Sequence, residues 1–288
     1  MIEIQQAQTL DQLEILHYMY SKHLVSPSNT IRALKNAGID VQNIKVEDLT
    51  PYDQDHFGGV NATEECLKLL SIDASSNVLD IGSGLGGPAR YIAHRTGARV
   101  TGIEIQRDRF EAAQRFTRLV SLEHLVSFRN EDFASLELQG VVYSHVVSFL
   151  SILHMIDKRR ALKALGRALQ DGGSVFIEDY YRKGRLSSAD KTELLKTISC
   201  PSLISVNNYL KTLEEGGIRI KEMTDTTDRW KKVVEERVEG YNTGLVTLSK
   251  QFGLEAALNA ATFAEGVMRI FHKGMIGGFR IIGRKEIT

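Results

Sequence analysis

Gly82, Gly84 and Gly86 recur at every second position directly after the apolar run Val78-Leu79-Asp80-Ile81 and just before Pro88. A strand that turns through glycines into a helix is where α/β folds receive nucleotide-like ligands, because a side chain there would hold the ligand off the backbone. Gly82-x-Gly84-x-x-Gly87 also satisfies a dinucleotide fingerprint, so the glycines do not choose between adenosyl ligands. The nearby acids do choose. Asp80 lies two residues before the first glycine, where a dinucleotide would place its pyrophosphate; a carboxylate repels that group and attracts a cationic tail. Glu104 follows 24 positions later (104 − 80), at the end of the next apolar run, and is suited to accept both ribose hydroxyls. Asp132 is placed to accept an adenine amino group, with Phe133 as an apolar wall. Ser83, Ile105 and Ser148 complete the expected cofactor contacts.

Three acids at three successive strand ends fit S-adenosylmethionine, which lacks phosphate and carries an ammonium and a sulfonium at its methionine end. Each acid also has a plain alternative, as a helix cap or a solvated loop residue.

Positioning these residues requires alternating strands and helices. Residues 77–81, 99–104, 126 to about 132, 141–149 and 174–177 read as strands, and 107–120 and 158–169 as helices, which implies parallel βαβ units in a doubly wound α/β sheet. Asn61-Ala-Thr-Glu64 matches a capping box ahead of an apolar helix face at Cys66, Leu69 and Leu70. Upstream, Leu10, Leu13, Ile15, Leu16 and Tyr20 form a helical stripe that Ser26-Pro27-Ser28 interrupts, and Asp53–Gly59 reads as a loop. Downstream, a helix holding Val206–Leu213 precedes a strand at Ile218–Met223. Residues 228–272 are almost wholly helical and Gly277–Arg284 is a closing strand. The expected organisation is a helical cap over 1–60, a cofactor-binding core over 61–227, a helical lid over 228–275 across the carboxyl edge of the sheet, and a last core strand over 276–288.

Leu79–Ala93 (LDIGSGLGGPARYIA) resembles the first motif of class I S-adenosylmethionine-dependent methyltransferases, particularly the phosphoethanolamine and sarcosine/dimethylglycine N-methyltransferases. The resemblance continues through His56–Gly59, Thr101–Ile105, Glu131–Phe133, Ser151–His154 and Gly172–Tyr180, and more weakly through Leu203–Tyr209 and Trp230. It implies a mostly parallel seven-stranded sheet. It also implies methyl transfer to a small-molecule nitrogen nucleophile, an amine or amino-acid-like group. Oxygen, sulfur or carbon methylation of a small apolar metabolite is the alternative, and an NAD(P)-dependent oxidoreductase is the alternative from another class.

The resemblance also suggests roles. The loop bearing Gln54 and His56 would fold over the cofactor's methionine end. His154 would act as base or substrate orienter, latched by a tyrosine, for which Tyr18, Tyr20 and Tyr52 are all candidates; an imidazole titrates near neutrality and can take a proton. Tyr180, Tyr52 and Trp230 are candidate substrate contacts, although a lone tryptophan opening a helix is more often core. Two departures bear on substrate. Amine methyltransferases of this group place an acid four residues before that histidine, where this chain has Leu150. The stretch Leu195–Pro201 also lacks the tyrosine and arginine that hold phosphate in the phosphoethanolamine enzymes, so a phosphorylated amine is not expected.

The 288 residues carry 36 Lys+Arg against 36 Asp+Glu, a balance that argues against a nucleic-acid partner. No apolar run approaches a membrane span, and the N-terminus lacks the basic start and apolar stretch of a secretory signal. The two cysteines, Cys66 and Cys200, are too far apart in sequence to suggest a metal site and suit a reducing cytoplasm.

Overall fold

Val78, Leu79 and Ile81 show how the sheet is made. Val78 enters one apolar layer while Leu79 and Ile81 enter the other, the period-two alternation of a strand covered on both faces. Val146 and Val147, and Val175 and Phe176, divide in the same way. The structure is a computed structural model that describes residues 2–137, 140 and 142–287. The expected strand start at Val141 and the side chain of Leu10 lie outside the described residues.

The strands are β1 (Asn77–Ile81), β2 (Arg99–Ile103), β3 (Val126–Arg129), β4 (Tyr143–Phe149), β5 (Leu169–Arg182), β6 (Ile218–Asp225) and β7 (Ile276–Lys285). They form one sheet in the order β3-β2-β1-β4-β5-β7-β6. The first five are parallel, and β7 runs antiparallel to both β5 and β6. The order reverses between β1 and β4, so the crevice beyond their carboxyl ends is the place for a ligand.

Helices α4 (Val60–Leu70), α5 (Gly87–Thr96) and α6 (Arg107–Leu119) cover one face through Cys66, Ile92 and Ala113. Helices α7 (Lys158–Ala168) and α9 (Val206–Glu215) cover the other through Leu162, Leu165 and Leu213. Between α7 and α9 lies α8 (Ser188–Ile198), which the sequence reading did not resolve. The lid between β6 and β7 consists of α10 (Thr227–Thr243), α11 (Leu245–Phe252) and α12 (Leu254–His272). At the N-terminus stand α1 (Ile2–Ser21), α2 (Pro27–Asn36) and α3 (Val46–Asp53).

Several local expectations are corrected. Ser26-Pro27 starts α2 as well as ending the first stripe: the Ser26 side chain caps the helix and Pro27 sits in its first turn. Asn61 does not cap α4, because the helix already begins at Val60 after Gly59, whose φ is +51°. Glu64, freed from capping, accepts the Tyr91 hydroxyl at 2.6 Å. Strand β5 is longer than Ser174–Ile177 because β7 pairs with it from Ser174 to Arg182.

The N-terminal helices are fastened to the core by an ion pair removed from water. Arg90 Nη2 donates to Asp53 Oδ2 at 2.8 Å, and Arg90 Nη1 donates to Ala113 O and Thr117 Oγ1, each at 3.2 Å. Burial pushes the Asp53 carboxyl up, with the guanidinium opposing that rise. The contact is so close that a Cβ on Gly87 would lie 2.2 Å from Asp53 O. Breaking a buried pair leaves an uncompensated charge, so Asp53→Ala should lower the unfolding free energy by about 3–5 kcal/mol. The double variant Asp53→Ala/Arg90→Met should recover at least half of that loss in urea titrations. Equal stability of the single and double variants would show that charge pairing is not what holds this joint.

Candidate active site

The crevice beyond β1, β2 and β4 is a cleft of about 1320 Å³, counting its open mouth. The glycine turn forms its floor, with φ of +69°, +55° and +80° at Gly82, Gly84 and Gly86. The Gly82 and Ser83 amides both donate to Ile103 O, which ties the turn to the end of β2. Protein atoms crowd the turn from above. A Cβ on Gly82 would lie 2.3 Å from Ser151 Cβ, and one on Gly84 would lie 3.0 Å from Arg109 Nη2. Gly86 does not face the cleft; its Cα packs against Phe128 and Arg90, so its role is packing.

Asp80 and Glu104 both line the cleft and are buried. Glu104 Oε2 accepts the Gly84 amide and Oε1 accepts the Gln106 amide, each at 2.8 Å, which fixes the carboxylate across the crevice. Asp80 Oδ2, Ser83 Oγ and Gln106 Oε1 are buried polar atoms without a partner among the described residues, and all three residues line the cleft. Buried polar groups are normally satisfied, so three orphans around one crevice mark a missing polar ligand. Burial, and then the neighbouring Glu104 charge, push the Asp80 carboxyl up to about 7. A ligand cation at this point would reverse that shift.

Asp132 behaves as a cap in addition to lining the cleft. Its Oδ1 accepts the Ala134 amide and its Oδ2 the Ser135 hydroxyl, each at 3.0 Å. Phe133 and Ile105 line the same wall. Two expected contacts lie elsewhere. Ser148 is fully buried beneath the floor, its hydroxyl 2.8 Å from Ser151 Oγ, and Ser151 faces the cleft in its place. Gln54 turns inward to Asp53 Oδ1 at 3.0 Å and lies 3.2 Å from His56 Nε2, so Asp53, Asp55 and His56 supply that edge of the cleft. His56 stacks on Phe149 with centroids 4.5 Å apart, and burial holds its imidazole neutral at about 4.

A second cavity of about 790 Å³, counting its open mouth, lies between α1, β5 and the lid helices α10 and α12. Tyr20, Asp55, His56, Leu150 and His154 line both spaces and so form the junction. His154 Nδ1 donates to Ser199 O at 3.1 Å, which leaves Nε2 to accept the Tyr20 hydroxyl at 3.1 Å. Burial lowers the His154 pKa to about 4, so the ring is neutral. Tyr20 is thus the tyrosine that reaches His154, while Tyr18 is exposed. Tyr52 is a correction: its hydroxyl accepts from Gln251 Nε2 at 3.2 Å and its ring packs on Phe252, away from both spaces. Trp230 is core, stacked on Phe57 at 4.7 Å behind the cavity wall, whereas Tyr180 lines the cavity.

Residues that the sequence reading did not single out complete the junction. Arg109 donates to Asp55 Oδ2 at 3.2 Å and to Val25 O at 3.0 Å, with its guanidinium 4.2 Å from the Tyr20 ring centroid. The other Asp55 oxygen lies 3.3 Å from His23 Nδ1. Leu150, between the two spaces, has a left-handed backbone with φ +51°.

A family model described as a methyltransferase domain matches residues 78–173. Methyltransferase GfsG of Streptomyces halstedii is 29% identical over 196 residues, 67% of this chain and 70% of that protein. Phosphoethanolamine N-methyltransferase 1 of Arabidopsis thaliana is 27% identical over 182 residues, covering 63% of this chain but 36% of the plant enzyme. The chain therefore spans little more than a third of that longer relative. Among solved structures, phosphoethanolamine N-methyltransferase 2 of Haemonchus contortus, bound to phosphomonomethylethanolamine and S-adenosylhomocysteine, aligns with TM-score 0.71 and 22% identity over 80% of this chain and 54% of that one. The [4+2]-cyclase SpnF aligns with TM-score 0.63 and 21% identity over 79% of this chain and 80% of that one. At these identities the structural likeness establishes the fold. The matched methyltransferase domain runs from β1 into β5 and carries the glycine turn and the acid-lined cleft, and over that stretch the chain is similar to S-adenosylmethionine-dependent methyltransferases.

Proposed function

We propose that the chain methylates a hydroxyl of a bulky, mostly apolar small molecule seated in the second cavity. The observation that carries this reading is the joining of an acid-lined cofactor cleft to an apolar cavity of about 790 Å³ through a junction of few polar groups. The orphaned atoms of Asp80, Ser83 and Gln106 fit the polar methionine and ribose portions of S-adenosylmethionine, and Glu104 fits the ribose diol. The pair of carboxylates argues against a pyrophosphate, and so against the dinucleotide reading. When bound, S-adenosylmethionine supplies an electrophilic methyl on a sulfonium; the protein has only to align the acceptor, exclude water and take its proton. Alignment of this kind supplies on the order of 7–11 kcal/mol in favourable systems.

In this reading His154 orients and does not act as base, since both of its nitrogens are engaged. The Tyr20–His154 contact closes the cap over the junction and keeps water out. His23 lines the cavity; its Nδ1 accepts the Val25 amide at 3.4 Å and lies 3.3 Å from Asp55 Oδ1, and its Nε2 has no hydrogen bond among the described residues. Exchange of the long Val25 contact for a proton shared between Nδ1 and Asp55 would leave the Nε2 lone pair to an acceptor hydroxyl. A nitrogen acceptor is the second reading, favoured by the amine methyltransferases among the relatives; Leu150, where an acid would hold a cation, weighs against it.

A panel of lipophilic alcohols, phenols and amines of matched skeleton, read by S-adenosylhomocysteine release, tests the acceptor. Turnover is expected with alcohols or phenols, and turnover confined to the amines would overturn the hydroxyl reading. Tight cofactor binding without release from any acceptor would instead point to a different reaction on the same fold. With the best alcohol or phenol, His23→Asn should lower turnover by roughly 10²–10⁴-fold while cofactor affinity is unchanged. A fully active variant removes His23 from proton transfer.

S-adenosylhomocysteine should raise the melting temperature, and NAD and NADP should not. Its affinity should depend on pH with a definite sign. Asp80, at about 7 in the free protein, must lose its proton to meet the ligand ammonium. The dissociation constant should therefore fall on the order of ten-fold as pH rises from 6 to 8. In Asp80→Asn the binding should be weaker and nearly independent of pH over that range. A pH profile unchanged by the substitution would mean that another group carries the dependence.

A further inference from the structure

The one guanidinium facing the second cavity has no carboxylate partner among the described residues. Asp55 is the cavity's one carboxylate among the described residues, and it is already engaged by Arg109 at 3.2 Å, with His23 on its other oxygen. The three histidines that line the cavity, His23, His56 and His154, are neutral because burial lowers each pKa. Arg237 also lines the cavity, from α10, and has no carboxylate within 4.0 Å among the described residues. Its guanidinium lies 5.2 Å from the Phe57 ring centroid, and its one hydrogen bond among those residues is a long 3.4 Å contact to His56 O. Tyr241, four residues on and so on the same helix face, lines the cavity too, and its hydroxyl has no hydrogen bond among the described residues.

Resting on the reading of this cavity as the acceptor site, we propose that Arg237, with Tyr241, binds an anionic group of the acceptor, so that the acceptor is an amphipathic acid. An arginine fork and a phenol one helical turn apart offer parallel donors to a carboxylate, and a charge-assisted pair is roughly twice as strong as a neutral one. The surrounding walls, among them Leu153, Ile198, Val234 and Phe263, take the apolar body of the molecule. An ammonium in the same space would meet an uncompensated guanidinium instead.

Decanoate, decanol and decylammonium, added to protein saturated with S-adenosylhomocysteine, separate charge from chain length. By calorimetry or competition, decanoate should bind at least ten-fold more tightly than decylammonium, with decanol between them. Arg237→Met should bring the three to within about two-fold of one another, and Arg237→Lys should keep most of the preference for decanoate. S-adenosylhomocysteine affinity, unchanged in both variants, controls for folding. Equal binding of the three probes to the wild-type protein, no binding of any, or a decanoate preference that survives Arg237→Met would overturn the proposal. Each of those results leaves cofactor binding and methyl transfer standing, because neither is read in this experiment.

Discussion

A single guanidinium, that of Arg109, holds together the parts of this molecule that chemistry must bring into register. From α6 it reaches the backbone of the N-terminal segment at Val25, the loop carboxylate of Asp55 and the face of Tyr20, and it closes over Gly84. The glycine turn, the capping helices and the junction thus share one buried cation. Arginine suits the task because its planar fork stays charged and serves several acceptors and an aromatic face at once. A lysine there would offer one compact charge and lose the stacking contact on Tyr20.

The two spaces on either side of that junction have opposite electrical character. The cofactor cleft holds carboxylates with too few cations, and the lid cavity holds a cation with no free carboxylate. The imbalance in the cleft costs folding free energy, since Asp80 and Glu104 are buried charges without cationic partners of their own, whereas Arg237 is half-buried and partly solvated. Such uncompensated groups are retained where a ligand of opposite charge completes them. On the proposed reading, the fold separates a site for a cationic cosubstrate from a site for an anionic or neutral acceptor, with neutral imidazoles between them.

The α/β core was legible because its signals are local. Apolar runs of period two, a glycine turn and acids at strand ends are contiguous in sequence, and Asp80 and Glu104 fall where that pattern puts them. The assembled junction was not legible in the same way. Tyr20 and His154 are 134 residues apart, and only the packing of α1 against the loop after β4 chooses Tyr20 over Tyr18 and Tyr52. Asp55, Arg109 and His23 look like solvated loop and helix charges, and nothing in their sequence neighbours marks them as one assembled set. Ser148 and Gln54 failed for a finer reason: each is adjacent in sequence to the cleft, but the direction of its side chain is set by a bond made elsewhere. Gly86 belongs to the motif yet serves the packing of Phe128.

Leu150 carries a consequence beyond its place between the two spaces. Its left-handed backbone, with φ +51°, disfavours a branched apolar residue and is most tolerant of glycine, asparagine and aspartate. The resemblance to amine methyltransferases implies an acid at this position, and the backbone shape suits aspartate better than the leucine present, which sits here at some cost in local strain. Acceptor preference and conformational strain are coupled at one residue. An exchange of leucine for aspartate here would relax the chain and place a negative charge at the junction of the two spaces in one step, without rebuilding the loop.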